Sequence, residues 1–87
     1  MKLYKVIVKA AEYYRQNVKG NSNTDDETIR KKLTRNIMLA DRYPNINRST
    51  RLYRYGNLLI LTKRDKVIWL HNVKTYDFEV DRVNIRN

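Results

Sequence analysis

The stretch Arg51–His71, RLYRYGNLLILTKRDKVIWLH, decides the fold. Arg51–Tyr55 alternates between two side-chain sets, with Arg51, Tyr53 and Tyr55 on one face and Leu52 and Arg54 on the other, the period of a β-strand. Gly56-Asn57 supplies a turn or bulge. Leu58–Thr62 follows as a nearly wholly apolar strand. Lys63–Lys66 (Lys-Arg-Asp-Lys) reads as a tight polar turn, and Val67–Leu70 as a buried strand ending at His71. Trp69, flanked by Ile68 and Leu70, reads as a core residue. Downstream, Val73-Lys74-Thr75 leads to Tyr76–Val80, where Tyr76, Phe78 and Val80 alternate with Asp77, Glu79 and Asp81, so one face packs and one is wet. The tail Arg82–Asn87 extends that strand or frays.

Upstream of the meander the character changes. Lys2–Lys9 is short and rich in β-branched residues, with Tyr4, Val6 and Val8 on one face and Leu3 and Ile7 on the other. This pattern predicts a strand covered on both sides and central in the sheet. Ala10–Val18 holds good helix formers, and Tyr14 and Val18 lie one turn apart. Lys19–Asn23 is a loop by its Gly and Asn content. Thr24-Asp25-Asp26-Glu27 opens the clearest helix: Thr24 caps, Glu27 reaches back to the Thr24 amide, and the two aspartates suit the positive end of the helix dipole. Pro44 is expected to end the run. At 100° per residue Ile29, Leu33, Ile37 and Ala40 fall within about 80° of one another, an apolar stripe. Lys31, Arg35 and Arg42 fall almost opposite, at roughly 200–240°, as a basic line or an ordinary solvated face. The expected architecture is α+β: an N-terminal strand, two helices, then a C-terminal antiparallel β-meander with the helices packed on one face.

Composition narrows the function. The chain has 87 residues, 19 Lys+Arg against 9 Asp+Glu, and a net charge of +10. Such a length fits a single small domain over residues 1–87. At 41% hydrophobic residues it is too apolar for a disordered tail. There is no cysteine, which excludes disulfides, thiolate metal sites and cysteine nucleophiles and fits a reducing compartment. A lone histidine, His71, excludes sites needing two from one chain. With two glycines there is no Gly-rich phosphate loop. Asp25, Asp26 and Glu27 are explained by helix capping, so neither metal nor cofactor is expected. No apolar run suits a membrane span, and Lys5 and Lys9 interrupt any signal-peptide pattern. A cytoplasmic location, or host cytoplasm for a phage-encoded chain, follows as an expectation.

The positive charge concentrates in Asn45–Lys66, where Arg48, Arg51, Arg54, Lys63, Arg64 and Lys66 face only Asp65, a local net charge of +5. A field of this size attracts polyanions. The predicted nucleic-acid-binding residues are therefore Arg48, Arg51, Tyr53, Arg54 and Tyr55, with Lys31, Arg35 and Arg42 on the second helix and Lys63, Arg64 and Lys66 at the hairpin tip. Tyrosines set between arginines can stack on unpaired bases while guanidinium groups follow the phosphates. Alternatively Tyr53 and Tyr55 belong to the core with hydroxyls at its rim, and the hairpin cations merely protect a sheet edge.

Two segments carry a family resemblance. Lys5–Asn17 (KVIVKAAEYYRQN) resembles the first strand and helix of RelE/ParE-type toxins, within the wider barnase-like group. Tyr53–Val80 (YRYGNLLILTKRDKVIWLHNVKTYDFEV) resembles their run of basic strand, apolar strand, polar turn and apolar strand, closed by basic and aromatic residues. The resemblance implies metal-independent RNA cleavage, with His71 as acid or base, Arg54 holding phosphate, and Lys74 and Tyr76 as the C-terminal basic–aromatic pair. Leu58, Leu59 and Ile60 stand where such toxins carry a strand arginine, and a strand-end histidine is commonly structural.

Three function classes stay open. The favoured one is a non-catalytic binding protein whose partner is RNA, DNA, a nucleoprotein complex or an acidic protein surface, with no membrane involved. A phage or mobile-element inhibitor of host nucleic-acid machinery, for example a CRISPR effector, would be such a protein. The second is a RelE-like endoribonuclease, and the third a structural interaction module whose charge serves solubility. Convergence of Arg54, His71, Lys74 and Tyr76 in one cleft would favour catalysis. Dispersal over a basic surface would favour binding.

Overall fold

A computed structural model describes residues 2–44 and 46–73. Its elements run β1 (Lys5–Val6), α1 (Val8–Asn17), α2 (Asp26–Leu39), β2 (Asp41–Arg42), β3 (Thr50–Tyr55), β4 (Leu58–Lys63) and β5 (Lys66–Asn72). The sheet order is β1-β5-β4-β3-β2. Its β1–β5 pair is parallel and the others are antiparallel. The α+β architecture and the meander agree with the sequence pattern. The predicted strand Tyr76–Val80 lies outside the described residues.

Both helices cover the same sheet face. Tyr53, Ile60 and Leu70 stand in one cross-strand row, and all three are buried. They meet Ala10, Ala11 and Tyr14 of α1 and Ile29, Leu33 and Ile37 of α2 in one core. Ile29, Leu33, Ile60 and Val67 are fully buried, each contributing about 1.5–3 kcal/mol by leaving water. Polar ties fix the helices to the sheet. Tyr4 N–H donates to Thr34 Oγ1 at 2.9 Å, and Arg30 Nε donates to the Tyr4 carbonyl at 3.0 Å. At the far end of the sheet, Asn72 N–H donates to the Tyr13 hydroxyl at 2.7 Å and Asn72 Nδ2 to the Asn17 carbonyl at 2.7 Å. The loop between the helices is organised by buried Asn21, whose Oδ1 accepts from Lys32 Nζ at 2.7 Å and Thr24 Oγ1 at 3.0 Å.

Several expectations are corrected. Among the described residues the N-terminal strand lies at the sheet edge and has two residues, because the chain turns into α1 at Val8 after Ile7 N–H bonds the Val67 carbonyl. Asp25, not Thr24, caps α2: its carboxylate accepts from Thr28 Oγ1 at 2.6 Å and from Thr28 N–H at 3.4 Å. Thr24 is taken instead by Asn21, and its carbonyl accepts from Arg15 Nε at 2.7 Å. Helix α2 stops at Leu39, five residues before Pro44, because Asp41 and Arg42 pair with β3. Arg42 is therefore not on the helix, and the Lys31–Arg35–Arg42 line is broken. Lys31 pairs with Glu27 at 4.0 Å one turn away. Trp69 is 45% exposed rather than core, since a bulge at Leu61/Thr62 shifts the register and leaves Leu70 to fill the buried row. Among the described residues, no helix is long and apolar enough to cross a membrane.

Two stability outcomes follow from this packing. Leu33→Ala lowers unfolding free energy by about 2–5 kcal/mol, and Leu33→Asp abolishes the cooperative melt by burying an unpaired charge; circular-dichroism denaturation measures both. Asp25→Ala lowers the melting temperature at pH 7. Hydrogen bonding from Thr28 holds the Asp25 carboxyl below its ordinary value. Its contribution is full above that ordinary value and lost as pH falls through the lowered folded one, so the gap between variant and parent narrows in acid.

Candidate functional site

The basic segment does not fold onto a single surface. At the start of β3 and the end of β4 the helices leave part of their sheet face uncovered, and a half-open cavity of about 440 Å³ lies there. Its lining is Tyr4, Arg48, Ser49, Arg51, Tyr53 and Arg64. Arg51 enters from β3 on the same side as Tyr53. Arg48 and Ser49 are held by a local turn in which Asn47 Oδ1 accepts from Ser49 N–H at 3.0 Å, Thr50 N–H at 2.9 Å and Ser49 Oγ at 3.2 Å. This Asx-type geometry explains why an asparagine precedes the arginine. Arg64 is fastened to the same loop by its N–H, which donates to the Ser49 carbonyl at 2.7 Å.

Arg64 carries the one positive φ of a non-glycine residue among those described, +56°. A two-residue hairpin connection favours glycine or asparagine where φ is positive, and a side chain there costs on the order of 1 kcal/mol. The arginine occupies the position despite that cost, and the turn brings it to the cavity beside Arg48 and Arg51.

Three guanidinium groups thus line one opening. Among the described residues, the ion pairs are Lys2–Asp65, Lys31–Glu27 and Arg15–Asp26, and none involves Arg48, Arg51 or Arg64. The nearby carboxylate, Asp65, is engaged by Lys2 at 3.6 Å. The cavity floor is phenolic. Burial first, then a hydrogen bond with Tyr53, pushes the Tyr4 hydroxyl above its ordinary value. Tyr4 is therefore neutral at physiological pH and available as a hydrogen-bonding group. Among the described residues the lining contains no carboxylate and no histidine. Its side chains offer three fixed positive charges with phenol and serine hydroxyls, the chemistry of an anion receptor.

The other sequence-predicted residues lie elsewhere. Arg54 is on the opposite sheet face, in register with Leu59 and His71, and its Nε donates to the Gly56 carbonyl at 3.0 Å. Arg54 and His71 are separated by two strand spacings, about 10 Å between backbones. His71 is exposed and stacks on Trp69, with ring centroids 5.7 Å apart. Lys63 and Lys66 point to that same opposite face, flanking the turn that holds Arg64. Tyr53 is buried at the cavity floor and Tyr55 is 40% exposed at the strand end. Lys31 and Arg35 are exposed on α2, and Arg42 on the β2 edge. Lys74 and Tyr76 lie outside the described residues.

Sequence reading did not single out Tyr4 or Ser49. Tyr4 lines the site through a contact made across the chain, for which there is no local signal. Ser49 is marked only by the Asn47-Arg48-Ser49 turn chemistry.

The match to family models spans residues 4–86 and is to YorE. The chain belongs to the YorE family. That membership covers β1 through the C-terminal segment and does not bear on the RelE/ParE-type resemblance. Comparison with curated proteins and with solved structures gives no match.

The strained turn provides its own test. Arg64→Gly raises the melting temperature by relieving the positive-φ cost while weakening the retention of the YorE-family protein on a heparin column. Gains and losses in opposite directions separate a residue kept for binding from one kept for folding.

Proposed function

We propose that this YorE-family protein is a non-catalytic, nucleic-acid-binding protein that takes backbone phosphate into the Arg48–Arg51–Arg64 cavity. The observation that carries this reading is the convergence of those three arginines, unpaired with any carboxylate among the described residues, on an opening lined by hydroxyl groups. Guanidinium forks match phosphate oxygens bidentately, and several together bind more strongly than scattered surface lysines. The net charge of +10 adds long-range steering toward a polyanion.

Among the described residues the cavity lining holds no carboxylate and no imidazole, which supports binding over turnover. RNA cleavage needs a base for the 2′-hydroxyl and an acid for the leaving oxygen. Burial keeps the Tyr4 phenol in its protonated, donor form, and the permanently charged guanidiniums cannot act as that base. The YorE family is a phage-type family of small proteins, which is compatible with an inhibitor that occupies host nucleic-acid machinery in the cytoplasm. On this reading, the protein competes for phosphate-rich surfaces.

The test is a gel-shift and cleavage assay in the same tubes, with labelled single-stranded RNA and DNA at two salt concentrations. The parent protein shifts both while leaving RNA intact, and affinity falls steeply with salt, as counterion release requires. The triple variant Arg48→Glu/Arg51→Glu/Arg64→Glu retains its fold by circular dichroism and loses at least about tenfold in affinity, each phosphate-contacting charge being worth on the order of 1 kcal/mol or more. Unchanged binding by the triple variant refutes the site. Cleavage without added metal would restore the RelE-like nuclease reading, and no binding at either salt would leave a structural interaction module.

A further inference from the structure

The sheet face turned away from the helices has a composition of its own. Cross-strand register places Leu52, Leu61 and Trp69 in one row. Arg54, Leu59 and His71 form the next. On the other side of the tryptophan row, Lys63, Lys66 and Lys5 stand in register across β4, β5 and β1. All three lysines are exposed. Adjacent strands lie about 4.8 Å apart, so the three lysines span about 10 Å of backbone, roughly 7 Å along β4 from the Leu61 row. Trp69 and His71 stack on each other with their planes 15° apart, and both also border a hollow of about 290 Å³ at the β5 edge with Lys9, Ala10 and Tyr13 of α1. Register brings Asp41 to this face opposite Arg54 at the far edge, and Asp65, paired with Lys2 at 3.6 Å, shares a hollow with Lys63 and Lys66 at the hairpin end.

We infer that this open face is a base-stacking platform for single-stranded nucleic acid, with unpaired bases on the Trp69–His71 surface and phosphates along Lys63, Lys66 and Lys5. This deepens the nucleic-acid reading and rests on it, naming the strand class and a second surface separate from the arginine cavity. Aromatic rings on an open sheet, edged by cations, recognise bases only after these leave a duplex stack. The pairing of apolar and cationic rows is the argument for this occupant. An apolar protein segment would be served by the leucines and Trp69 but would gain nothing from a row of three lysines. Duplex nucleic acid would use the lysines and leave the rings idle.

Trp69 is the only tryptophan in the chain, so its fluorescence reports on this face alone. Saturable quenching is expected on titration with a short oligothymidine or oligouridine, whereas heparin, which carries no bases, binds without comparable quenching. Trp69→Ala weakens oligonucleotide binding, read by anisotropy of a labelled strand, by about 5- to 150-fold. Trp69→Phe restores most of that loss, and heparin retention is unaffected by either change. If oligonucleotides bind with Trp69 emission unchanged and Trp69→Ala binds like the parent, the platform is wrong while the arginine-cavity reading stands. Equal quenching by a duplex of the same length overturns the single-strand assignment. If neither oligonucleotide nor heparin binds, the parent reading fails as well.

Discussion

Two helices of ten and fourteen residues can shield one side of a five-stranded sheet, and that constraint organises the molecule. They are only about 15 and 21 Å long. Their apolar side chains meet Tyr53, Leu58, Ile60, Val67 and Leu70 in a single layer. This layer holds β1 beside β5, positions Tyr4 against Thr34, and sets the end of the sheet where the arginines gather. The other side has no helix among the described residues, so the alternate side chains of β3, β4 and β5 form a second surface. A residue's place in the strand period therefore decides whether it serves folding or can meet a partner.

Electrostatics follows the same division. Neighbouring positive charges repel in the folded state, and concentrating three arginines at one opening raises that cost unless a counter-anion binds. Arg64 adds backbone strain in a turn where glycine would fit without penalty. Both costs fall on the same few residues. Local destabilisation that the surrounding framework tolerates is common where chemistry or binding demands a particular geometry. The buried layer, anchored by Ile29, Leu33, Ile60 and Val67, supplies the rigidity that holds such a site open.

Much of the fold was legible from hydrophobic period alone. The meander was readable because Gly56-Asn57 and the Arg64-Asp65 turn punctuate three runs with the right length and β-branched content. The stripe Ile29–Leu33–Ile37 was readable because a helix repeats its buried face every three to four residues. The edge position of β1 was not, since an apolar strand start looks alike whether one neighbour or two will pair with it. The exposure of Trp69 is hidden in the sequence for a related reason. Continuous apolar runs hide which side is covered, and the bulge that sets the phase of β5 has no sequence mark of its own. Likewise the charge cluster at Asn45–Lys66 was plain, but its division between two faces depends on register. Arg51 and Arg64 reach one side, whereas Arg54, Lys63 and Lys66 reach the other.

That division bears on how a chain this small could hold a nucleic acid at all. A single patch of arginines gives affinity that is largely indifferent to sequence and fades with salt. Stacking is less salt-sensitive, and it requires bases that have left a duplex. With arginines on one side of the sheet and stacked aromatic rings on the other, a nucleic-acid strand on the proposed reading would pass over the β4–β5 turn and meet Arg64 and the flanking Lys63 and Lys66 before reaching Trp69. The turn is thus the shortest connection between the two surfaces, only two residues separating the paired lysines. On the proposed reading, its unusual arginine links the two contacts, giving one strand two moderate interactions whose effects multiply through proximity rather than area.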